Sequence, residues 1–147
     1  MTVNTPADYG RKNAWLVVDQ QIISFKVRAC AEARILLSED PFDMTMFSRE
    51  IVIGGESNTK SGIYDNNNQS LMESNTPAIL QCDELIDFWI RWQPNGGTIT
   101  VGKGPIDVGV FLKYDEFDLH PFYAVSISTG QNNSGSWQLK TDAGEIM

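Results

Sequence analysis

Histidine, cysteine and positively charged side chains are all scarce in this chain. Its 147 residues include one histidine and two cysteines, and 11 lysines and arginines stand against 19 aspartates and glutamates. The formal charge of -8 would repel a phosphate backbone, and no basic run offsets it, so the composition argues against nucleic-acid binding. The spacing of the histidine and the two cysteines resembles no tetrahedral zinc motif.

Long apolar runs are also missing. No segment approaches the roughly 18 to 20 apolar residues of a membrane span, and no polybasic patch indicates a membrane surface, so we expect no membrane insertion. Residues 1–12 are polar and lack the apolar core of a signal peptide, which leaves an intracellular protein or the mature or recombinant form of a secreted one. Glycosylation sequons at Asn68 and Asn132 fit secretion, but such triplets also arise by chance in a chain rich in asparagine and serine.

The two cysteines, Cys30 and Cys82, allow one disulfide. Each lies in an apolar, strand-like stretch, where two buried free thiols would give the same pattern. The sequence therefore leaves the bonded and the free forms open.

Short strand-like runs with regular turn signals make up most of the chain. A hydrophobic fraction of 41% and an aromatic fraction of 10% are typical of a globular protein, and we expect one domain over residues 1–147. The pattern predicts an all-β, antiparallel β-sandwich of jelly-roll-like form. The predicted strands are 15–19, 22–29, 33–37, 50–53, 62–64, 78–81, 88–92, 98–101, 108–114, 123–128 and 136–140.

The clearest local signal is a β-hairpin over residues 87–104. Phe88, Ile90 and Trp92 fall on one face of its first strand, and apolar residues alternate with threonine in its second strand. Proline, asparagine and two glycines at 94–97 supply the backbone angles that a tight turn needs. The opposite face of the first strand carries Asp87, Trp89 and Arg91.

One window is ambiguous between strand and helix. Thr76 and Pro77 could begin a helix, and the apolar residues of 79–89 would then line one helical face. Strand is favoured for 87–92, because aromatic and β-branched residues dominate there and a hairpin turn follows. Residues 29–37 show a weaker form of the same ambiguity.

Several motifs in this order resemble one protein family. They are Ser24-Phe25-Lys26-Val27-Arg28, Arg34-Ile35-Leu36-Leu37, Ile53-Gly54-Gly55 followed by Asn58, Phe88-Trp89-Ile90-Arg91-Trp92, Ile99-Thr100-Val101-Gly102 and Tyr123-Ala124-Val125-Ser126-Ile127. Together they resemble the farnesoic acid O-methyltransferase domain over residues 15–140. Where that family often has tryptophan before an aspartate, this chain has Tyr114 before Asp115.

The resemblance implies a β-sandwich module of animal proteins that is often extracellular. Single-domain members look like lectins, including galactose-binding ones, so the resemblance implies a secreted, non-catalytic lectin for glycans with terminal galactose. One site binds a sugar weakly, so we also expect a homodimer that gains avidity. The alternative is a structural or adhesion module that binds proteins and has no sugar site.

The residues themselves argue against methyl transfer. A doubly wound methyltransferase needs parallel strands alternating with helices and a glycine-rich turn that opens a helix. Gly102 and Gly104 do follow a strand, but no helical period comes after them, so they are better interpreted as a strand end or bulge. We therefore expect no enzyme activity and no S-adenosylmethionine.

A sugar site needs amide and carboxylate groups for the hydroxyls and an aromatic ring for the apolar sugar face. Polar loops at 56–60 and 65–69 offer the former, and the charged neighbours of Trp89 suggest that its ring is accessible. Ordinary solvated turns would give the same loop sequences, and Asn58 and Lys60 could instead brace a turn. The predicted ligand-binding residues are Asn58, Lys60, Asp65, Asn66, Trp89 and Arg91.

Calcium is the one metal that the loops suggest. Asp115, Glu116 and Asp118 have the oxygen chemistry that calcium prefers, although the spacing is not that of an EF-hand. They are the candidate metal ligands.

Overall fold

The protein folds into two antiparallel sheets, and the computed structural model describes residues 2–16, 21–40, 47–93, 97–117, 119–130, 132–141 and 144–145. One sheet has seven strands in the order β1-β12-β3-β8-β9-β10, with β13 paired to β12, and the other has six in the order β2-β11-β4-β5-β6-β7. The predicted antiparallel sandwich is confirmed. The strands are β1 (Thr2–Thr5), β2 (Lys12–Leu16), β3 (Ile22–Arg28), β4 (Ala33–Ser38), β5 (Ser48–Gly54), β6 (Lys60–Tyr64), β7 (Ser70–Asn75), β8 (Ile86–Gln93), β9 (Thr98–Lys103), β10 (Val110–Asp115), β11 (Ala124–Thr129), β12 (Gly135–Thr141) and β13 (Gly144–Glu145).

Alternation along each strand decides which side chains face the core. In β3, Ile23, Phe25 and Val27 are buried, whereas Ser24 and Lys26 between them are partly exposed. Because successive side chains of a strand point to opposite faces, this pattern turns one face of the sheet toward the other sheet. A fully buried aliphatic or aromatic side chain of this kind contributes about 1.5–3 kcal/mol.

The predicted hairpin is formed by β8 and β9. Phe88 pairs with Lys103 and Trp92 pairs with Ile99, and the side chains of Phe88, Ile90 and Trp92 are all buried in the core as predicted. Of the predicted turn at 94–97, Gly97 has a positive φ of 67°, and residues 94–96 lie outside the described residues.

A buried polar chain joins the first strand to the rest of the core. Trp137 packs on Phe25 with ring centroids 5.6 Å apart, and its indole Nε1 donates a hydrogen bond of 3.0 Å to Thr5 Oγ1. The hydroxyls of Thr5 and Thr129 lie 2.9 Å apart. Burying an indole N–H without a partner is costly, and these contacts satisfy it.

One predicted strand is wrong. Residues 78–81 form turns and bends rather than a strand, with Ala78 at a φ of 54°, and the helical alternative does not form in 76–85 either. The strands β1 and β7 were not predicted, because their sequences are polar and carry little alternation.

No helix in the described residues is long and apolar enough to cross a membrane.

The two cysteines are bonded to each other. Cys30 and Cys82 form a disulfide across a sequence separation of 52 residues, and both lie in exposed connections rather than in strands. The bond ties the end of β3 to the segment that leads into β8. The bonded form is thus the one that the structure shows.

Removing this disulfide should destabilise the fold. A closed loop of this length contributes about 4 kcal/mol by restricting the unfolded chain. We expect the free energy of unfolding, measured by urea titration, to fall by about this amount in the double variant Cys30→Ser with Cys82→Ser. An unchanged midpoint and slope would show that the bond constrains little of the unfolded chain.

Candidate functional site

The outer face of the six-stranded sheet has a hollow above β4, β5 and β6. Cross-strand register places Arg34 beside Val52 and Val52 beside Gly62 on this face. Val52 and Gly62 in the centre of this row are small, so the longer side chains around them enclose a cleft of about 330 Å³. The cleft is lined by Glu32, Arg34, Glu50, Val52, Gly55, Glu56, Lys60, Tyr64 and Asn68.

Arg34 lies in the floor of the cleft between two carboxylates. Its Nε donates to Glu32 Oε2 at 3.1 Å, and its Nη1 donates to Glu50 Oε1 at 2.8 Å. The other oxygen of Glu50 accepts a 3.1 Å hydrogen bond from Arg11 Nη2. Burial alone would lower the pKa of Arg34, but the charge of Glu50 and the hydrogen bond and charge of Glu32 outweigh it and raise the pKa. The guanidinium is therefore a permanent, fixed cation.

An exposed aromatic ring stacks on this cation. The Arg34 guanidinium carbon lies 5.1 Å from the centroid of the Tyr9 ring, which is within cation–π range. Tyr9 is 45% exposed, and its backbone N–H donates to the carbonyl of Thr129 at 2.9 Å, which fixes the residue beside β11. The pair offers a ligand a planar aromatic surface next to charged hydrogen-bonding groups.

The rim on the β6 side carries a second charged group. Lys60 Nζ lies 3.8 Å from Glu56 Oε2 and 3.8 Å from Glu73 Oε2. A side chain at Gly62 would meet the Tyr64 ring at 3.1 Å, so the glycine lets this ring lie across the strand. Burial and the charge of Glu73 raise the pKa of Tyr64, and the phenol therefore stays a neutral hydrogen-bond donor.

A left-handed turn positions this rim. Gly55–Asn58 (α1) has φ values of 49° at Glu56, 61° at Ser57 and 66° at Asn58. Such angles cost about 1–2 kcal/mol per residue, so other contacts must hold them. Asn58 Nδ2 donates to the Leu80 carbonyl at 2.9 Å, and the Leu80 N–H donates to Asn58 Oδ1 at 3.1 Å. Asn58 thus braces the backbone, which is the structural alternative that the sequence left open.

The predicted residues in the 65–69 loop also support backbone. Asp65 Oδ1 accepts hydrogen bonds from the N–H groups of Asn67 and Gln69 at 2.8 and 3.0 Å. The bond from Gln69, with smaller contributions from Asn67 and Arg49, lowers the pKa of Asp65. Asn66 Oδ1 accepts a 3.0 Å hydrogen bond from the N–H of Ser48. It is the neighbouring Asn68 that lines the cleft.

Trp89 and Arg91 lie on the opposite sheet, and the expectation that Trp89 is accessible is wrong. The Trp89 side chain is 1% exposed, because the segment after β9 folds over it and the Val108 carbonyl accepts a 2.8 Å hydrogen bond from its Nε1. A side chain at Gly102 would come within 2.3 Å of the indole, so only glycine fits below it. Arg91 donates to Asp107 at 2.9 Å on the same face.

The candidate calcium ligands do not form a metal site in the described residues. Both carboxylate oxygens of Glu116 bind the guanidinium of Arg49, at 2.9 and 2.6 Å. Asp115 instead accepts a 2.9 Å hydrogen bond from Thr98, and Asp118 lies outside the described residues. No group of three or more histidine, cysteine, aspartate or glutamate side chains in the described part is arranged to hold a metal ion. Asp115 and Glu116 are therefore held by other protein groups and do not form a calcium site together.

Of the six predicted ligand-binding residues, only Lys60 lines the cleft. Its main polar members, Glu32, Arg34 and Glu50, were missed. A signal was present for Arg34, because it is a charged residue between the buried Ala33 and Ile35 of a strand. No comparable pattern in the sequence indicates that Tyr9 contacts Arg34, because this contact depends on how β1 and β11 are brought together.

The brace at Asn58 predicts a specific loss of stability. Asn58→Ala would leave the buried Leu80 backbone groups unpaired and put alanine at a positive φ, so we expect a loss of about 1–3 kcal/mol in chemical denaturation. The matched control is Asn67→Ala in the neighbouring exposed loop, where we expect a change within about 0.5 kcal/mol. Equal effects of the two substitutions would contradict the bracing role.

The raised pKa of Tyr64 predicts late ionisation in a spectrophotometric titration. Stability linked to this group is present below its ordinary pKa of about 10 and is lost as the pH rises through the raised pKa. Tyr64→Phe should remove a late-titrating phenol, and Glu73→Gln should make that phenol titrate earlier. A Tyr64 phenol that ionises at or below the ordinary value would refute this assignment.

Several known proteins share this architecture or part of this sequence. The lumenal domain of VIP36, solved with Ca²⁺ and Man3GlcNAc bound, has a TM-score of 0.60 at 12% identity, covering 99% of this chain and 81% of that one. A Bacillus licheniformis β-glucanase has a TM-score of 0.60 at 12% identity, covering 96% and 78%. Lectin I from Ulex europaeus, in complex with a fucose glycoside, has a TM-score of 0.54 at 10% identity, covering 88% and 76%. At these identities the similarity shows a shared fold.

A closer sequence relative is "Uncharacterized protein 5" of Haliotis asinina, 36% identical over 88 residues. The match covers 60% of this chain and about half the length of the relative, 50%. The family model described as farnesoic acid O-methyltransferase matches residues 3–143, nearly the whole chain. The chain therefore belongs to the farnesoic acid O-methyltransferase domain family.

Proposed function

We propose that the protein is a non-catalytic lectin that binds terminal galactose in the cleft on the six-stranded sheet. The observation that carries the proposal is the fixed arrangement of Arg34 between Glu32 and Glu50, with the exposed Tyr9 ring stacked on it. Planar guanidinium and carboxylate groups fix the positions of sugar hydroxyls. The axial 4-hydroxyl of galactose leaves one face rich in C–H groups, which suits an aromatic ring.

The same contacts argue against glycosidase chemistry, although β-glucanases share the fold. A glycosidase needs one carboxyl group free to give a proton and a second free to attack or activate water. Here Glu50 accepts from Arg34 and Arg11 through both oxygens, and Glu32 is bound to the same Arg34. The antiparallel topology also argues against S-adenosylmethionine, because the doubly wound site for that kind of cofactor is built on parallel strands.

We further propose that the lectin is secreted and acts as a homodimer without calcium. The disulfide fits an oxidising compartment. A second copy would raise the avidity of a weak site without any new sugar contact. Calcium is left out because two of the three acidic side chains suggested for it, Glu116 and Asp115, are engaged with Arg49 and Thr98.

A protein-interaction module is the second candidate, and one surface supports it. Ile106, Val108 and Val110 are 44%, 54% and 51% exposed on the outer side of the seven-stranded sheet. The segment is held by hydrogen bonds from Trp89 to Val108 and from Gly104 to Asp87, so the apolar side chains are presented on a fixed backbone. Exposed apolar patches of this kind are typical of protein contacts.

A glycan array on the purified protein separates the two candidates. We expect selective binding to galactose-terminated glycans, with the same intensity in the presence of a chelator. Loss of binding with the chelator would overturn the calcium-independent site. No binding in either condition would overturn the lectin proposal and favour the interaction module.

Tyr9→Ala is expected to weaken galactoside binding about tenfold, equivalent to ~1.4 kcal/mol, because it removes the aromatic surface above Arg34. The matched control is Tyr123→Ala, which removes a tyrosine of similar exposure (40% against 45%) that, unlike Tyr9, is not stacked on Arg34. Titration calorimetry with methyl β-galactoside measures both. Equal affinities for the two variants would place the sugar elsewhere.

A further inference from the structure

The charged groups in and beside the cleft form two sets, and in the outer set carboxylates outnumber cations. In the inner set, Glu32 and Glu50 share the guanidinium of Arg34 at 3.1 and 2.8 Å. In the outer set, Glu56 and Glu73 share the ammonium of Lys60, each at 3.8 Å. Every cation that faces the cleft is thus already matched by two carboxylates.

The two sets differ in their access to a ligand. The inner carboxylates are held deep, with side-chain exposures of 22% for Glu32 and 9% for Glu50. The outer carboxylates are open, at 72% for Glu56 and 40% for Glu73. An arriving ligand therefore meets the outer pair first, where two carboxylates share a single ammonium at 3.8 Å and leave an excess negative charge.

The charges of the two sets together sum to a negative value. Counting Arg11, which binds Glu50, the two sets contain four carboxylates and three cations. The whole chain has a formal charge of -8, so the long-range field also repels anions. A carboxylate or sulfate on a ligand would have to approach exposed carboxylates or displace one of them from its cation.

Resting on the proposed sugar-binding function, we propose that this cleft selects its ligand by charge. Neutral sugars bind, a sugar that carries an amine binds more tightly, and a sugar that carries a carboxylate or sulfate binds more weakly. The physical reason is the excess of exposed carboxylate at Glu56 and Glu73 over the single Lys60 ammonium. The glycans recognised in nature are accordingly those without sialic acid, uronic acid or sulfate next to the bound residue.

Three methyl glycosides that share one ring test this selection. Methyl β-glycosides of galactose, galactosamine and galacturonic acid differ in charge at one substituent each. We expect galactosamine to bind about two- to fivefold more tightly than galactose and galacturonate to bind weaker by a similar factor, as measured by calorimetry at low salt. The differences should shrink in 1 M salt, where the screening length falls to about 3 Å.

Two charge-neutralising variants separate the local effect from the overall charge. Glu56→Gln removes one carboxylate at the cleft and should reduce the difference in binding affinity between galactosamine and galacturonate. Asp107→Asn removes the same charge in the connection between β9 and β10 of the opposite sheet, where Asp107 is 69% exposed, and should leave this difference in affinity unchanged. An equal effect of both variants would show that the net charge, and not the cleft, sets the selection.

The outcomes distinguish this inference from the function on which it rests. Binding of all three glycosides with equal affinity, or tightest binding of galacturonate, would overturn charge selection and leave the lectin function standing. Binding of none of them would overturn both. The expected order, with a Glu56→Gln response that Asp107→Asn lacks, would support both.

Discussion

The alternation of inward and outward side chains along the paired strands β4, β5 and β6 is the constraint on which the rest of the structure depends. Ile35, Ile51 and Ile63 pair in one row across these strands, and all three are completely buried between the sheets. The next row, from Arg34 through Val52, is then forced onto the outer face. Packing of the core therefore determines where the charged cleft lies, and a shift of register by one residue would exchange the two faces.

Much of the fold was predictable because this alternation is visible in the sequence. The hairpin of β8 and β9 and the strands of the sandwich core follow directly from it. The failures come from contacts between distant segments. The alternation along β8 places Trp89 on the outer face beside charged residues, which suggests an exposed ring. The ring is buried because the segment carrying Val108 folds back over it. The polar strand β7 forms because its backbone pairs with β6, and the sequence of β7 alone does not indicate this pairing.

The candidate site was harder to predict than the fold. The polar loop at 56–60 suggested that Asn58 contacts a ligand, but the Asn58 side chain is hydrogen-bonded to the backbone of Leu80. Asn58 instead holds a strained turn that sets the rim of the cleft. The groups that can reach a ligand are Tyr9 and the charges around Arg34 and Lys60, which come from segments far apart in the chain.

The central claim is that a sugar binds on the outer face of the six-stranded sheet. Backbone NMR shifts measured during titration with methyl β-galactoside test it most directly. The account predicts that the perturbed amides cluster around Tyr9, Arg34 and Lys60 and that those of residues 104–110 stay unchanged. Perturbation centred on 104–110, or on neither region at saturating sugar, would contradict it.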